Sequence, residues 1–183
     1  MGEREEYAIV LDFLPHGYPF DTTPLHRRHP VVQAVGKFTF SLLELAPKKD
    51  VFLQPYEEVY IGDGKRDRIH HTVGKIPLTK LTQTARKELD FVIHDLVVKN
   101  QEQFLHFFNH AGSITTRRHQ IELLPGVGKR HMIDILDARR DKPFASFEDI
   151  RERVKLLPDP EKIIVRRILA ELEGTDKYRL FVR

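Results

Sequence analysis

Ile121-Glu-Leu-Leu-Pro-Gly-Val-Gly-Lys-Arg-His-Met-Ile-Asp-Ile-Leu136 reads as two short helical segments joined by a tight hairpin, with Gly126 and Gly128 at the turn and Val127 between them. Two glycines one residue apart let the main chain turn sharply and leave no Cβ to hold a ligand away from the backbone. The amides that open the second segment are then free to form a small anion-binding concavity. Lys129 and Arg130 follow directly and add positive charge at that spot, and His131 after them is a further candidate phosphate contact. The arrangement suits one backbone phosphate of a nucleic acid, held without reading a base.

These residues resemble a helix-hairpin-helix motif, which places apolar side chains where Ile121, Leu124, Val127, Ile133 and Leu136 stand and glycines where Gly126 and Gly128 stand. Met132 departs from the pattern, which has a small residue there. Over its full length the chain resembles an archaeal family of unknown function to which RNA binding has been attributed. In that family a small barrel-like N-terminal region precedes the hairpin domain. The expected fold is therefore α+β: an OB-like or similar small β-barrel over residues 1–78, bridging helices over 79–112, and an all-helical helix-hairpin-helix domain over 113–183.

Composition narrows the classes. The chain has 183 residues, 40% hydrophobic and 31% charged, which is the balance of a water-soluble globular protein. No run approaches the roughly 20 apolar residues that cross a bilayer, so no membrane partner is expected. The start Met1-Gly-Glu-Arg-Glu-Glu-Tyr7 lacks the basic-then-apolar order of a secretory signal, and a cytoplasmic location follows as the default. The absence of cysteine removes disulfides, thiolate nucleophiles and cysteine-based zinc sites together. The formal charge of +3 is unevenly spread: residues 113–183 hold 16 Lys and Arg against 12 Asp and Glu, and residues 1–112 hold 14 against 15. The positive balance sits with the hairpin.

In the N-terminal region, Tyr7-Ala-Ile-Val-Leu11, the alternating Phe38, Phe40 and Leu42, Val59-Tyr-Ile61, and residues 69–73 each read as strands. Several short strands in so few residues favour a curled sheet whose closure hides its edges. Lys65, Arg66 and Arg68 lie in a glycine-containing loop and are candidate phosphate contacts, with Tyr60 nearby as a stacking face. Residues 18–30 are punctuated by proline and carry Arg27 and Arg28, a further candidate contact, on an irregular excursion.

Leu81, Ala85, Leu89, Ile93 and Leu96 recur at helical spacing, and a second helix carries Phe104, Phe107 and Phe108 before Gly112. His106 and His110 share one side of that helix, but no third ligand accompanies them, and no metal site or cofactor is expected. Ser113, Thr115 and Thr116 offer hydroxyls for the start of the first hairpin helix, with Arg117 and Arg118 broadening the basic surface. Met132, Ile133 and Leu136 supply the packing stripe of the second. Ser146 before Asp149, and Asp159 before Pro160, mark two later helix starts. Leu157-Pro-Asp-Pro160 faintly echoes Leu124-Pro-Gly-Val127, so residues 156–172 are a candidate second hairpin unit without the glycine pair.

No serine occupies a nucleophile elbow, and Gly126-Val-Gly128-Lys129 lacks the spacing of a nucleotide-triphosphate loop, so no catalytic residue is assigned. The expected function is non-catalytic binding of RNA, or less readily DNA, through backbone phosphates. A protein-interaction scaffold presenting Phe104, Phe107 and Phe108 is the main alternative, with a protein as partner; a metal-dependent nuclease is a more distant one.

Overall fold

Val31-Val-Gln-Ala-Val-Gly36 forms β2, the middle strand of a sheet and buried along almost its whole length. Around it stand β1 (Tyr7–Leu14), β3 (Leu42–Pro47), β4 (Glu58–Tyr60) and β5 (Ile69–Lys75), in the order β4-β1-β2-β3-β5 with every neighbour antiparallel. Ala8, Val10, Val32, Ala34, Leu43 and Leu45 share the inner face and form one core cluster with Val59, Ile61 and Ile69. The β1–β2 register shifts between Val10 and Asp12, and a bulge at such a place bends the strand and raises local twist. The sheet curls accordingly, but β4 and β5 remain as its two edges. The expected barrel is thus a half-barrel.

The computed structural model describes residues 4–183. The described chain divides into two compact units: residues 4–92, 172–174 and 181–183 make one, and residues 93–171 with 175–180 make the other. Helix α1 (Gln83–Lys99) contains the boundary.

One sequence expectation in the sheet is corrected. Residues 37–39 form a turn, and Phe40 is fully buried with a φ of 56° instead of extending a strand. The Phe40 amide donates to the Gly36 carbonyl and the Gly36 amide to the Ser41 carbonyl, which closes β2 onto β3. The apolar alternation belongs to a tight turn. Glu5 caps it: its Oε2 accepts from the Phe38 amide at 3.0 Å, the Thr39 amide at 2.7 Å and the Thr39 hydroxyl at 2.8 Å. A Cβ at position 36 would lie 2.5 Å from that oxygen, so only glycine admits the cap.

A buried polar group ties the sheet to the start of α1. The Gln33 side chain, fully buried, donates to the Lys80 carbonyl at 2.9 Å and accepts from the Thr82 amide at 2.9 Å. The Tyr18 hydroxyl donates to Glu44 at 2.7 Å beside it. Burial, reinforced by that carboxylate, pushes the Tyr18 hydroxyl from its ordinary 10.0 up to about 12. The unfolded chain therefore loses this proton first. The associated stability is whole below pH 10 and falls as pH rises towards 12. Comparing chemical denaturation of the native chain and Tyr18→Phe between pH 9 and 12 should show the steeper decline in the native chain; parallel curves would refute the assignment.

In the second unit, α2 (Gln101–His110) leads to a small hairpin of β6 (Ser113–Thr115) and β7 (Arg118–His119). A short 3-10 turn over Gln120–Leu123, then α3 (Lys129–Asp141), α4 (Phe147–Arg153) and α5 (Pro160–Glu173) follow. Phe104, Phe108, Ile121, Ile135, Phe147, Ile150 and Ile164 are all buried in this unit. The region after residue 112 is therefore not all-helical. Ser113, Thr115 and Thr116 open no helix, because β6 and β7 pair across the Thr116-Arg117 turn and His119 takes the capping role. The later starts behave as read: Ser146 Oγ accepts from the Asp149 amide at 3.0 Å, and Asp159 accepts from the Glu161 amide at 2.9 Å.

Candidate nucleic-acid interface

The hairpin is held from below by its apolar residues. Ile121, Leu124 and Val127 are buried, while Gly126, Gly128, Lys129 and Arg130 are exposed and His131 is half-buried. Gly126 has a φ of 76°, a left-handed conformation that favours glycine, and a Cβ there would lie 3.5 Å from Pro158 Cγ. The loop before α5 thus stands against the 124–130 loop. Gly128 has open space around its missing Cβ.

Helix α3 starts at this loop without help. No side chain caps Gly128, and no acidic residue lies in the first turn. Its neighbours differ. The 3-10 turn opens on a reciprocal capping box, with His119 Nδ1 accepting from the Ile121 amide at 3.1 Å and Glu122 accepting from the His119 amide at 2.8 Å. Burial, aided by the nearby Arg139 charge, holds the His119 imidazole below its ordinary range, which keeps it a neutral acceptor. At the start of α3 no side chain caps the helix, and Lys129 and Arg130 are exposed.

On α3, Met132 and Leu136 lie on the packing face as expected and Ile133 does not. Ile135 is fully buried, Met132 and Leu136 are half-buried, and Ile133 is 52% exposed. With the helix starting at Lys129, positions 132, 135, 136 and 139 share the inner face and 133 points outward. Arg139 completes that face: its guanidinium donates to the Phe108 carbonyl at 3.1 Å and the Ala111 carbonyl at 2.9 Å, closing the end of α2.

Arg117 and Arg118 are exposed at the tip of the β6–β7 hairpin, and the Arg118 guanidinium lies 5.9 Å from the centre of the Tyr178 ring. Tyr178, Leu180 and Val182 alternate as in a short terminal strand, but the segment forms no strand and is fastened by side chains instead. Arg167, 5% exposed, donates to the Leu123 carbonyl at 3.1 Å, to Asp176 at 3.2 Å and to the Tyr178 carbonyl. Its Nε meets Glu171 at 2.8 Å, and Glu171 also accepts from the Leu180 amide at 2.6 Å. The residue that opens the hairpin and the residue that carries the tyrosine are held by one guanidinium. No sequence signal distinguishes Arg167 from a solvated helical arginine.

The remaining candidates lie in the other unit. Arg66 donates to the Gly62 carbonyl at 2.7 Å, and Arg68 pairs with Glu57 and donates to the Phe52 carbonyl at 2.6 Å. The Arg66 guanidinium braces its own loop and that of Arg68 ties to the 52–57 loop, leaving Lys65 exposed beside them. Tyr60 is engaged as well: its hydroxyl accepts from the Gly64 amide at 3.0 Å, and its ring meets Tyr7 edge-on at 5.3 Å. Arg28 likewise folds back, with Nε donating to the Thr23 carbonyl at 2.7 Å. The mouth of the half-barrel holds a pocket of about 280 Å³ bordered by Glu5, Thr39, Leu43, Ile61 and Lys75. His106 and His110 stack with ring centres 4.2 Å apart. No helix of the described residues is long and apolar enough to cross a membrane.

An α+β chain with a half-barrel sheet and this hairpin unit has known counterparts. It belongs to the DUF655 family, a family of unknown function whose profile matches residues 4–183. It is similar to the uncharacterised protein MJ0038 of Methanocaldococcus jannaschii, 43% identical over 181 residues that span 98% of this chain and 80% of that protein. The crystal structure of Af1531 from Archaeoglobus fulgidus is 45% identical and superposes with a TM-score of 0.88, covering 98% of this chain and 100% of that one. The archaeal setting anticipated from the sequence is that of both relatives.

Proposed function

We propose that this protein is a non-catalytic nucleic-acid-binding protein, acting on RNA in preference to DNA, and that the 124–130 hairpin of a helix-hairpin-helix unit grips one backbone phosphate. The observation that carries this reading is the start of α3, where no side chain caps the helix and Lys129 and Arg130 stand exposed. Two cations at the positive end of a helix oppose its dipole by a few tenths of a kcal/mol each, and an incoming phosphate reverses the conflict. Gly128 leaves the approach to the backbone open. The contact between Gly126 and the loop before α5 further supports a paired arrangement in which residues 156–172 act as the second, structural hairpin. The curled N-terminal sheet, read as OB-like, suits RNA because such sheets accept unpaired bases.

The scaffold alternative depends on an exposed phenylalanine face on α2. Phe104 and Phe108 are fully buried and Phe107 half-buried, so that support is missing.

The test is salt-dependent binding of the native chain and a Lys129→Ala/Arg130→Ala variant to RNA and DNA, each single-stranded and duplex. Each removed phosphate contact should lower the slope of log affinity against log salt by about 1, and the double variant should bind roughly 10- to 100-fold more weakly at low salt. Unchanged affinity and slope in a folded variant would place any binding elsewhere.

A further inference from the structure

The proposed hairpin contact explains neither Tyr178 nor the buried ions that hold it in place. Arg167 and Glu171, 5% and 1% exposed, are costly to desolvate, and their outward bonds go to the Leu123 carbonyl, Asp176, the Tyr178 carbonyl and the Leu180 amide. Their combined effect is to lay residues 176–180 beside the entrance to the hairpin. The segment so placed reads Asp176-Lys-Tyr-Arg-Leu180, with exposed cations on both sides of the tyrosine. Two cations already address the Tyr178 ring: Lys177 Nζ at 5.4 Å and the Arg118 guanidinium at 5.9 Å from its centre. An aromatic ring flanked by cations, next to a phosphate grip, is the combination that single-stranded nucleic acids use. The ring or the guanidinium plane stacks a base while the charges neutralise adjacent phosphates.

We propose that Arg118, Lys177 and Tyr178 form a second contact of the interface, which takes an unpaired base of single-stranded RNA. This rests on the hairpin reading and narrows it. The hairpin holds phosphate in single strands and duplexes alike, and the tyrosine confers the preference for an unstacked base. A base within a duplex cannot reach it.

The test measures fluorescence anisotropy of the full chain with a labelled 12-nucleotide single-stranded RNA and with a duplex of the same sequence, at one ionic strength. Tyr178→Ala should weaken single-strand binding roughly 5- to 100-fold, the range that loss of one stacked base produces. Duplex binding should change less than twofold, and Tyr178→Phe should bind both as the native chain does. Should Tyr178→Ala fail to fold, as judged by thermal unfolding, Lys177→Ala/Arg118→Ala takes its place, since both side chains are exposed, and should also weaken single-strand binding. Native binding that is lost in Lys129→Ala/Arg130→Ala but kept in Tyr178→Ala overturns this inference and leaves the hairpin reading intact. Equal losses on single strand and duplex in Tyr178→Ala also overturn it, since they mark a scaffold role for the ring. A native chain that binds neither RNA overturns both.

Discussion

Arg167→Ala is expected to destabilise the protein by about 3–5 kcal/mol, the usual cost of removing one partner from a buried ion pair. The alanine would strand Glu171, which is 1% exposed, and would leave the Leu123 and Tyr178 carbonyls without their shared donor. Arg167→Lys keeps the charge but cannot reproduce a fork that reaches four acceptors, so it should fall between the native chain and the alanine variant. Chemical denaturation gives the comparison directly. Because domains of this size have only about 5–15 kcal/mol to lose, the alanine variant should also show raised proteolysis within residues 175–180. A loss below about 1 kcal/mol would mean that Glu171 relaxes into water and that the network does not hold the tail. The ion pair would then be no reason to regard Tyr178 as fixed beside the hairpin.

The same residue shows why parts of the fold could be read from sequence and others could not. Strands β1, β4 and β5 announce themselves through branched and aromatic residues between turn formers. Helices α4 and α5 do so through Ser146 and the Asp159-Pro160 pair, whose capping depends on neighbours a few residues away. Local chemistry decides local structure in these cases. Strand β2 is different: Val31-Val-Gln-Ala-Val-Gly36 is buried on both faces, so it has no alternation to detect, and a glutamine in its centre looks like an interruption. The β6–β7 hairpin is built from Ser, Thr, Arg and His around the single Ile114 and carries almost no apolar signal. On α3, Ile133 lies about 100° round the helix from Met132, so it does not share the face of Met132 and Leu136, and residue type alone does not tell an exposed isoleucine from a buried one. At the candidate interface, the glycines and Lys129-Arg130 are contiguous and stand out. Tyr178 and Arg118 are sixty residues apart, and the groups that join Tyr178 to the hairpin are an arginine and a glutamate one helical turn apart, the commonest pattern of a solvent-facing helix.

Gln33→Leu should cost on the order of 2–6 kcal/mol, because two backbone groups lose the partner that a fully buried side chain supplies, at about 1–3 kcal/mol each. The leucine nearly matches the glutamine in volume, so the loss measures hydrogen bonding and not a cavity. The stranded groups are the Lys80 carbonyl and the Thr82 amide, which lie just before α1. Thr82 is itself the helix cap, its hydroxyl accepting from the Ala85 amide at 3.0 Å and donating to Asp12 at 2.6 Å. Tyr18 would lose the Gln33 amide at 3.2 Å while keeping Glu44. The damage should therefore appear first at the beginning of α1, as faster amide exchange over residues 82–86 while the inner-face strands stay protected. Thr82→Ala separates the two contributions: it removes the cap but leaves the Gln33 contacts, and should cost about 1 kcal/mol. If Gln33→Leu proves as mild as Thr82→Ala, a water molecule must satisfy the freed groups, and the glutamine in the middle of β2 is a convenience of packing instead of the bond that sets where α1 begins.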